Sequence, residues 1–224
     1  MARALDLVNL VSQPDAARNG EWERAFFQAL IEGNVVVENP EAQPGPDGWP
    51  YLFVRTGHDA TEPGTRVVQW LASKGIGLVV NGHKEFPDYV FSYGMLWNFA
   101  ERGEFLTVSP PSDQALSGSI ELKEGQKVLA GPPTPEFLPT YVRDILSHFF
   151  AQQEIFTPKI LVLTTDQKHY DLCFSLDSMG NPSQDEHQGI AEALAWFLPA
   201  HYSILLAREE GMPLFHPLKE APAN

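Results

Sequence analysis

Two small groups of side chains have the types needed for chemistry. His83, Glu85 and Asp88 lie close together near an Asn81-Gly82 turn signal, and His58 with Asp59 sits in an earlier loop. Histidines with carboxylates could hold zinc or iron, or act as acid and base. Their spacing matches neither His-Glu-x-x-His nor a histidine pair at i, i+4, so the expectation is a polar loop with no metal. In the second group, His169, Asp171, Cys173 and Ser175 share one face of an alternating stretch. Cysteine with histidine could be a nucleophile and its base. Alternate residues on a strand lie about 7 Å apart, too far for His169 to reach Cys173 unaided. Ser92 is not in a Gly-x-Ser-x-Gly elbow. Gly75-Ile-Gly77 lacks a third glycine, and the Gly125–Gly131 stretch lacks the Lys-Ser/Thr of a phosphate loop. The sequence therefore names no catalytic residue, no cofactor and no metal ligand.

The elements that must position these residues are clearest between Pro135 and Leu206. Phe137/Leu138, Tyr141/Val142, Ile145/Leu146 and Phe149/Phe150 recur every four residues, an amphipathic helix with Thr134 as N-cap and Pro135 at its first position. Lys159–Thr165 reads as a buried strand. His169–Asp177 alternates, with Tyr170, Leu172, Phe174 and Leu176 facing the core and the His/Asp/Cys/Ser set on a wetter face. Ser183 and Glu186 form a capping box before a helix carrying Ile190, Leu194 and Phe197, and Tyr202–Ala207 is a last strand. A strand in Ser119–Leu129 completes the order β-α-β-β-α-β, a split unit with two helices on one sheet face.

The first half reads as a short helix over Ala4–Val11 and a helix capped by Asn19 with Trp22, Phe26, Phe27, Leu30 and Ile31 on its stripe. Strands follow at Val35–Glu38, Tyr51–Arg55 and Ile76–Val80, with a short helix carrying Val67, Trp70 and Leu71 before the third. Phe86–Phe105 is the densest aromatic stretch: Phe86, Tyr89, Phe91, Tyr93, Trp97, Phe99 and Phe105. Its bulk reads as core. The turn and helix around Asp88, Tyr93 and Trp97 also form the candidate partner-contact surface, because Tyr and Trp are favoured at binding hot spots. Ser109–Ser119 has linker composition and sets a boundary between domains 1–112 and 113–224. The fold class is α+β (mixed α/β) in two small domains. Met212–Leu218 is an extended proline-flanked segment lying against the second.

Composition narrows the partners. The chain of 224 residues carries a net charge of −14, which argues against a nucleic-acid backbone or an anionic membrane surface. No stretch reaches the roughly 20 apolar residues of a membrane span, and Asp6 and Asn9 interrupt any leader pattern. One cysteine excludes an intramolecular disulfide and fits a reducing, cytoplasmic compartment.

Several motifs carry a family resemblance. WERAFFQALIEGNVVV opens the first half, PDYVFSYGMLWNF closes it, GQKVLAGPPTPEFLPTYVRDIL begins the second, and PLFHPL lies near the end. Together these resemble the bacterial enhanced-serine-sensitivity (SseB-like) family. Where that family commonly ends in a Pro-Phe-Tyr-like motif, Phe215 is here followed by His216. The resemblance implies a cytoplasmic bacterial protein of two domains, and brings no catalytic residues with it. The favoured expectation is a non-enzymatic binding or regulatory protein with a protein partner. The alternatives are a small-molecule enzyme using His83 and Asp88 as acid and base, and an acidic accessory subunit of a complex such as a secretion system.

Overall fold

A computed structural model describes residues 6–107 and 128–219. The chain divides into two compact units, Met1–Leu106 and Thr107–Asn224, both α+β. The linker expected at Ser109–Ser119 lies outside the described residues.

In the first unit the elements run α1 (Leu7–Val11), α2 (Gly20–Glu32), β1 (Asn34–Val37), β2 (Gln43–Pro44), β3 (Pro50–Arg55), β4 (Glu62–Pro63), α3 (Gly64–Ala72), β5 (Gly77–Val80), β6 (Tyr89–Phe91) and α4 (Tyr93–Arg102). Asn19 caps α2 as expected, its side chain accepting from the backbone N–H groups of Glu21 and Trp22. The helix then buries Trp22, Phe26, Ala29 and Leu30 at helical spacing. The sheet order is β4-β1-β3-β5-β6, with β2 also on β3. β3 and β5 run parallel through the α3 crossover, and the β1–β3 and β5–β6 pairs are antiparallel. Leu52, Val54, Leu78, Val80 and Phe91 face the helices and meet Phe26, Leu30, Val68, Leu71 and Leu96 in one core. Each such side chain contributes about 1.5–3 kcal/mol by leaving water. The start of α3 abuts the end of α2 so closely that a Cβ on Gly64 would sit 1.8 Å from the Leu30 carbonyl oxygen. Trp70, expected on the buried stripe of α3, is 45% exposed; Val67, Val68 and Leu71 take the core face instead.

The second unit contains β7 (Leu129–Gly131), α5 (Thr140–Gln152), β8 (Lys159–Thr164), β9 (Asp171–Ser175), α6 (His187–Phe197), β10 (Ser203–Ala207) and β11 (His216–Pro217). The succession β-α-β-β-α-β is present up to β10. Its pairing differs from a split unit, because the strands pair in chain order. β7 lies antiparallel on β8, β8 antiparallel on β9, and β9 parallel to β10. Among the described residues of this unit only β9-α6-β10 is a parallel crossover. The first strand begins at Leu129 in the described residues; Val128 before it is outside the strand, and residues 119–127 lie outside the described residues.

Two boundaries move for local reasons. The helix expected from Pro135 starts at Thr140. Thr134 caps only a single turn, accepting from the N–H groups of Phe137 and Leu138, before Pro139 interrupts it. Proline has no N–H to donate and disfavours helical backbone at the residue before it. The strand expected from His169 starts at Asp171, because Asp166 gathers the N–H groups of Lys168 and His169 into the hairpin turn. The capping box is present: the Glu186 carboxylate accepts from the Ser183 N–H at 2.8 Å.

The face of β9 expected to be wetter is a second apolar face. Cys173 is fully buried there with Leu161, Leu163 and Phe215, and Leu205, Ala207 and Met212 pack around them. The proline-flanked segment provides the cover: β11 pairs with β8, and Phe215 and Leu218 are buried. Among the described residues no helix is long and apolar enough to cross a membrane.

Candidate binding site

Of the side chains singled out in the first unit, His58 and Asp59 follow the carboxyl end of β3, and His83, Glu85 and Asp88 follow that of the parallel strand β5; Tyr93 and Trp97 do not lie there. Such ends are where open α/β sheets commonly place ligand and partner loops. Asn81 follows β5 directly. Its backbone adopts a left-handed φ of 57°, a region asparagine tolerates better than most residues. Its N–H donates to the Val54 carbonyl at 2.7 Å, and its side-chain oxygen accepts from the Thr56 N–H at 2.8 Å. One buried residue thus joins the ends of two strands. At the far end of the loop, the Asp88 N–H donates back to the Val80 carbonyl at 3.0 Å. Gly82 lies against the ring of Phe53, which a Cβ would meet at 2.5 Å.

Asp88 is the centre of this arrangement. Its side chain is 1% exposed. Arg18 donates to Oδ1 at 2.7 Å; Asn81 and Lys84 donate to Oδ2 at 2.6 and 2.5 Å. Burial pushes the carboxyl up, but the hydrogen bonds from Lys84, Asn81 and Arg18 outweigh it and hold the group below the usual carboxylate range. Arg18 also donates to the carbonyls of Val11 and Gln13 and lies 5.0 Å over the Trp22 ring. The end of α1, the start of α2 and the loop are therefore tied through one guanidinium. Next along the chain, the Tyr89 hydroxyl donates to Glu23 on α2 at 2.7 Å, fixing β6 to the helix layer.

The loop between these anchors presents Phe86, which is 76% exposed, beside His83 and Glu85. The aromatic expected in the core is thus at the surface. Conversely, the expected contact residues are inside. Asp88 is the buried hub, Tyr93 is fully buried with its hydroxyl donating to the Ala72 carbonyl at 2.8 Å, and Trp97 is 2% exposed. Asp88 braces the loop from within, whereas Tyr93 and Trp97 lie on α4, beyond the opposite end of β5, and serve as core. The physical reason is that α4 turns Tyr93, Leu96 and Trp97 inward together.

The acid–base alternative does not assemble. The Asp88 oxygens are occupied by three donors, and the His83 ring instead faces Glu38, 4.0 Å away and largely in solvent. Among the described residues no hydrogen bond joins His83 to Asp88. Asp59 is engaged by Arg55 through two hydrogen bonds of 2.9 and 2.5 Å. Among the described residues no group of three or more His, Cys, Asp or Glu is placed to hold a metal ion. In the second unit, His169 is hydrogen-bonded to Asp166 at 2.6 Å in the exposed turn. The Cys173 thiol is pushed up to about 12 by burial and by Asp171, far from the thiolate a nucleophile needs.

Sequence reasoning missed Arg18, Asn81 and Lys84 as partners of Asp88, and Phe86 as the exposed residue. One signal was available for Phe86: it precedes Pro87, so it sits on extended backbone outside the period-two run that starts at Tyr89. No protein-family model matches the chain, and neither curated proteins nor solved structures give a match.

Proposed function

We propose that this is a non-enzymatic cytoplasmic binding or regulatory protein that engages a protein partner through loop 81–88, with Phe86 as the apolar contact. The observation that carries this reading is the pairing of a fixed loop with an exposed aromatic tip. Asp88 and Asn81 hold both ends of the loop through buried hydrogen bonds, while Phe86 stays 76% exposed. A pre-ordered loop binds without the entropy cost of ordering it, and an aromatic side chain at its tip is a typical anchor. The net charge of −14 favours a partner with a basic surface.

The test is a pull-down from native lysate with the wild-type chain and Phe86→Ser, followed by affinity measurement for what co-purifies. Loss of an anchor of this kind weakens binding by about 30-fold or more, equivalent to about 2 kcal/mol. Equal capture by a Phe86→Ser chain that melts like wild type would show that the loop is not the contact.

A further inference from the structure

We propose that β10 is a self-association edge, and that two copies of this chain pair antiparallel through it about a two-fold axis at Leu205. Among the described residues β10 pairs only with β9, so its other edge carries open backbone groups. Which groups these are follows from one hydrogen bond. The Leu176 N–H donates to the Ala207 carbonyl at 2.8 Å, so Ala207 directs its backbone toward the β9 side. Backbone direction alternates along a strand, so Ser203 and Leu205 also face β9, while Ile204 and Leu206 face outward.

An isologous pair about Leu205 sets Ile204 of one copy opposite Leu206 of the other, twice. Both residues have outward N–H and C=O groups, so each of the two pairings closes a complete hydrogen-bonded ring. Leu205 meets its own copy in the intervening close pair and extends the apolar cluster of Leu161, Leu163, Cys173 and Phe215 across the axis. The flanks are compatible. In this register Arg208 falls opposite Tyr202, and Glu209 opposite His201, so no like charges oppose each other.

Open edges are normally protected by charge, proline or shortness. β4 carries Glu62 and Pro63, β2 ends in Pro44 and β11 in Pro217. β10 reads Ser-Ile-Leu-Leu-Ala, with none of these devices. Each copy carries −14, so association strengthens as added salt screens the repulsion.

The experiment is sedimentation equilibrium of the full chain at about 100 μM, where a micromolar dimer is populated, with hydrogen exchange on the same sample. The expected mass is twice the 24.9 kDa of one chain, with the Ile204 and Leu206 amides protected only at high concentration. Leu206→Pro removes an outward donor and returns the mass to one chain, with the circular dichroism spectrum retained. Leu205→Cys in a Cys173→Ala background, which removes the neighbouring thiol on β9, links the copies by a reducible disulfide under mild oxidation, because antiparallel geometry brings the two Cα atoms within about 4.5–5.5 Å. A single-chain mass for wild type at every salt concentration, or a Leu205→Cys chain in that background that stays unlinked on oxidation, would overturn the proposal.

Discussion

Arg18 and Asp88 lie 70 positions apart and meet through a hydrogen bond of 2.7 Å, with the carboxylate buried. The pair joins the helical start of the first unit to the loop at the far end of its sheet. Removing the carboxylate leaves Arg18 and Asn81 with unmatched donors in a closed site. Asp88→Ala should therefore destabilise the first unit by about 2–4 kcal/mol, a discounted figure because Lys84 reaches solvent. Urea unfolding of the variant against wild type measures this.

The same carboxylate sets a pH dependence. Its folded-state value lies below the unfolded value, so its contribution is complete above about pH 4 and is lost as pH falls through the lower folded value. Melting curves at successive pH values should show wild type and Asp88→Asn converging in that acid range and separated at neutral pH. A constant separation at all pH values would mean that the ion pair is not its source.

Phe86 and Trp97 should respond oppositely to truncation. Phe86→Ala removes an exposed ring and should change stability by no more than about 0.5 kcal/mol. Trp97→Ala leaves a cavity where the side chain is 2% exposed and should cost about 3–5 kcal/mol. Thermal unfolding of the two variants side by side distinguishes surface from core directly.

Phe215 is the lid over Cys173. In the native chain the thiol is buried and protonated, so labelling by a thiol reagent is slow. Phe215→Ala should cost about 3 kcal/mol and speed Cys173 labelling roughly in step with that loss. Unchanged labelling would mean that the segment does not cover the thiol.

The elements of the second unit were legible because helical and alternating periods, a capping box and proline stops act locally. The pairing order was not, since nothing in β7 itself says whether it joins β8 directly or with a strand between. Cys173 looked solvated because Asp171 and Ser175 share its face; the apolar cover arrives from Phe215, far along the chain. Asp88 looked like a surface acid for the same reason: hydropathy sees the carboxylate and not the guanidinium that will neutralise it. Tyr93 and Trp97 were correctly read as bulk for the core and wrongly as a contact surface, because helical spacing fixes which residues share a face but not which way that face turns.

β7 and β11 occupy successive stretches of one edge of β8, Gly131 opposite Val162 and His216 opposite Ile160, and both run antiparallel to it. They amount to one broken strand assembled from the two ends of the unit. Bringing such distant pieces together carries a larger loop-closure entropy than closing the short β8–β9 hairpin. We predict that this junction closes after the rate-limiting barrier. Weakening β11 should accelerate unfolding in stopped-flow measurements and leave the refolding rate almost unchanged. On that expectation the short strand β11 governs the lifetime of the second unit more than its speed of formation.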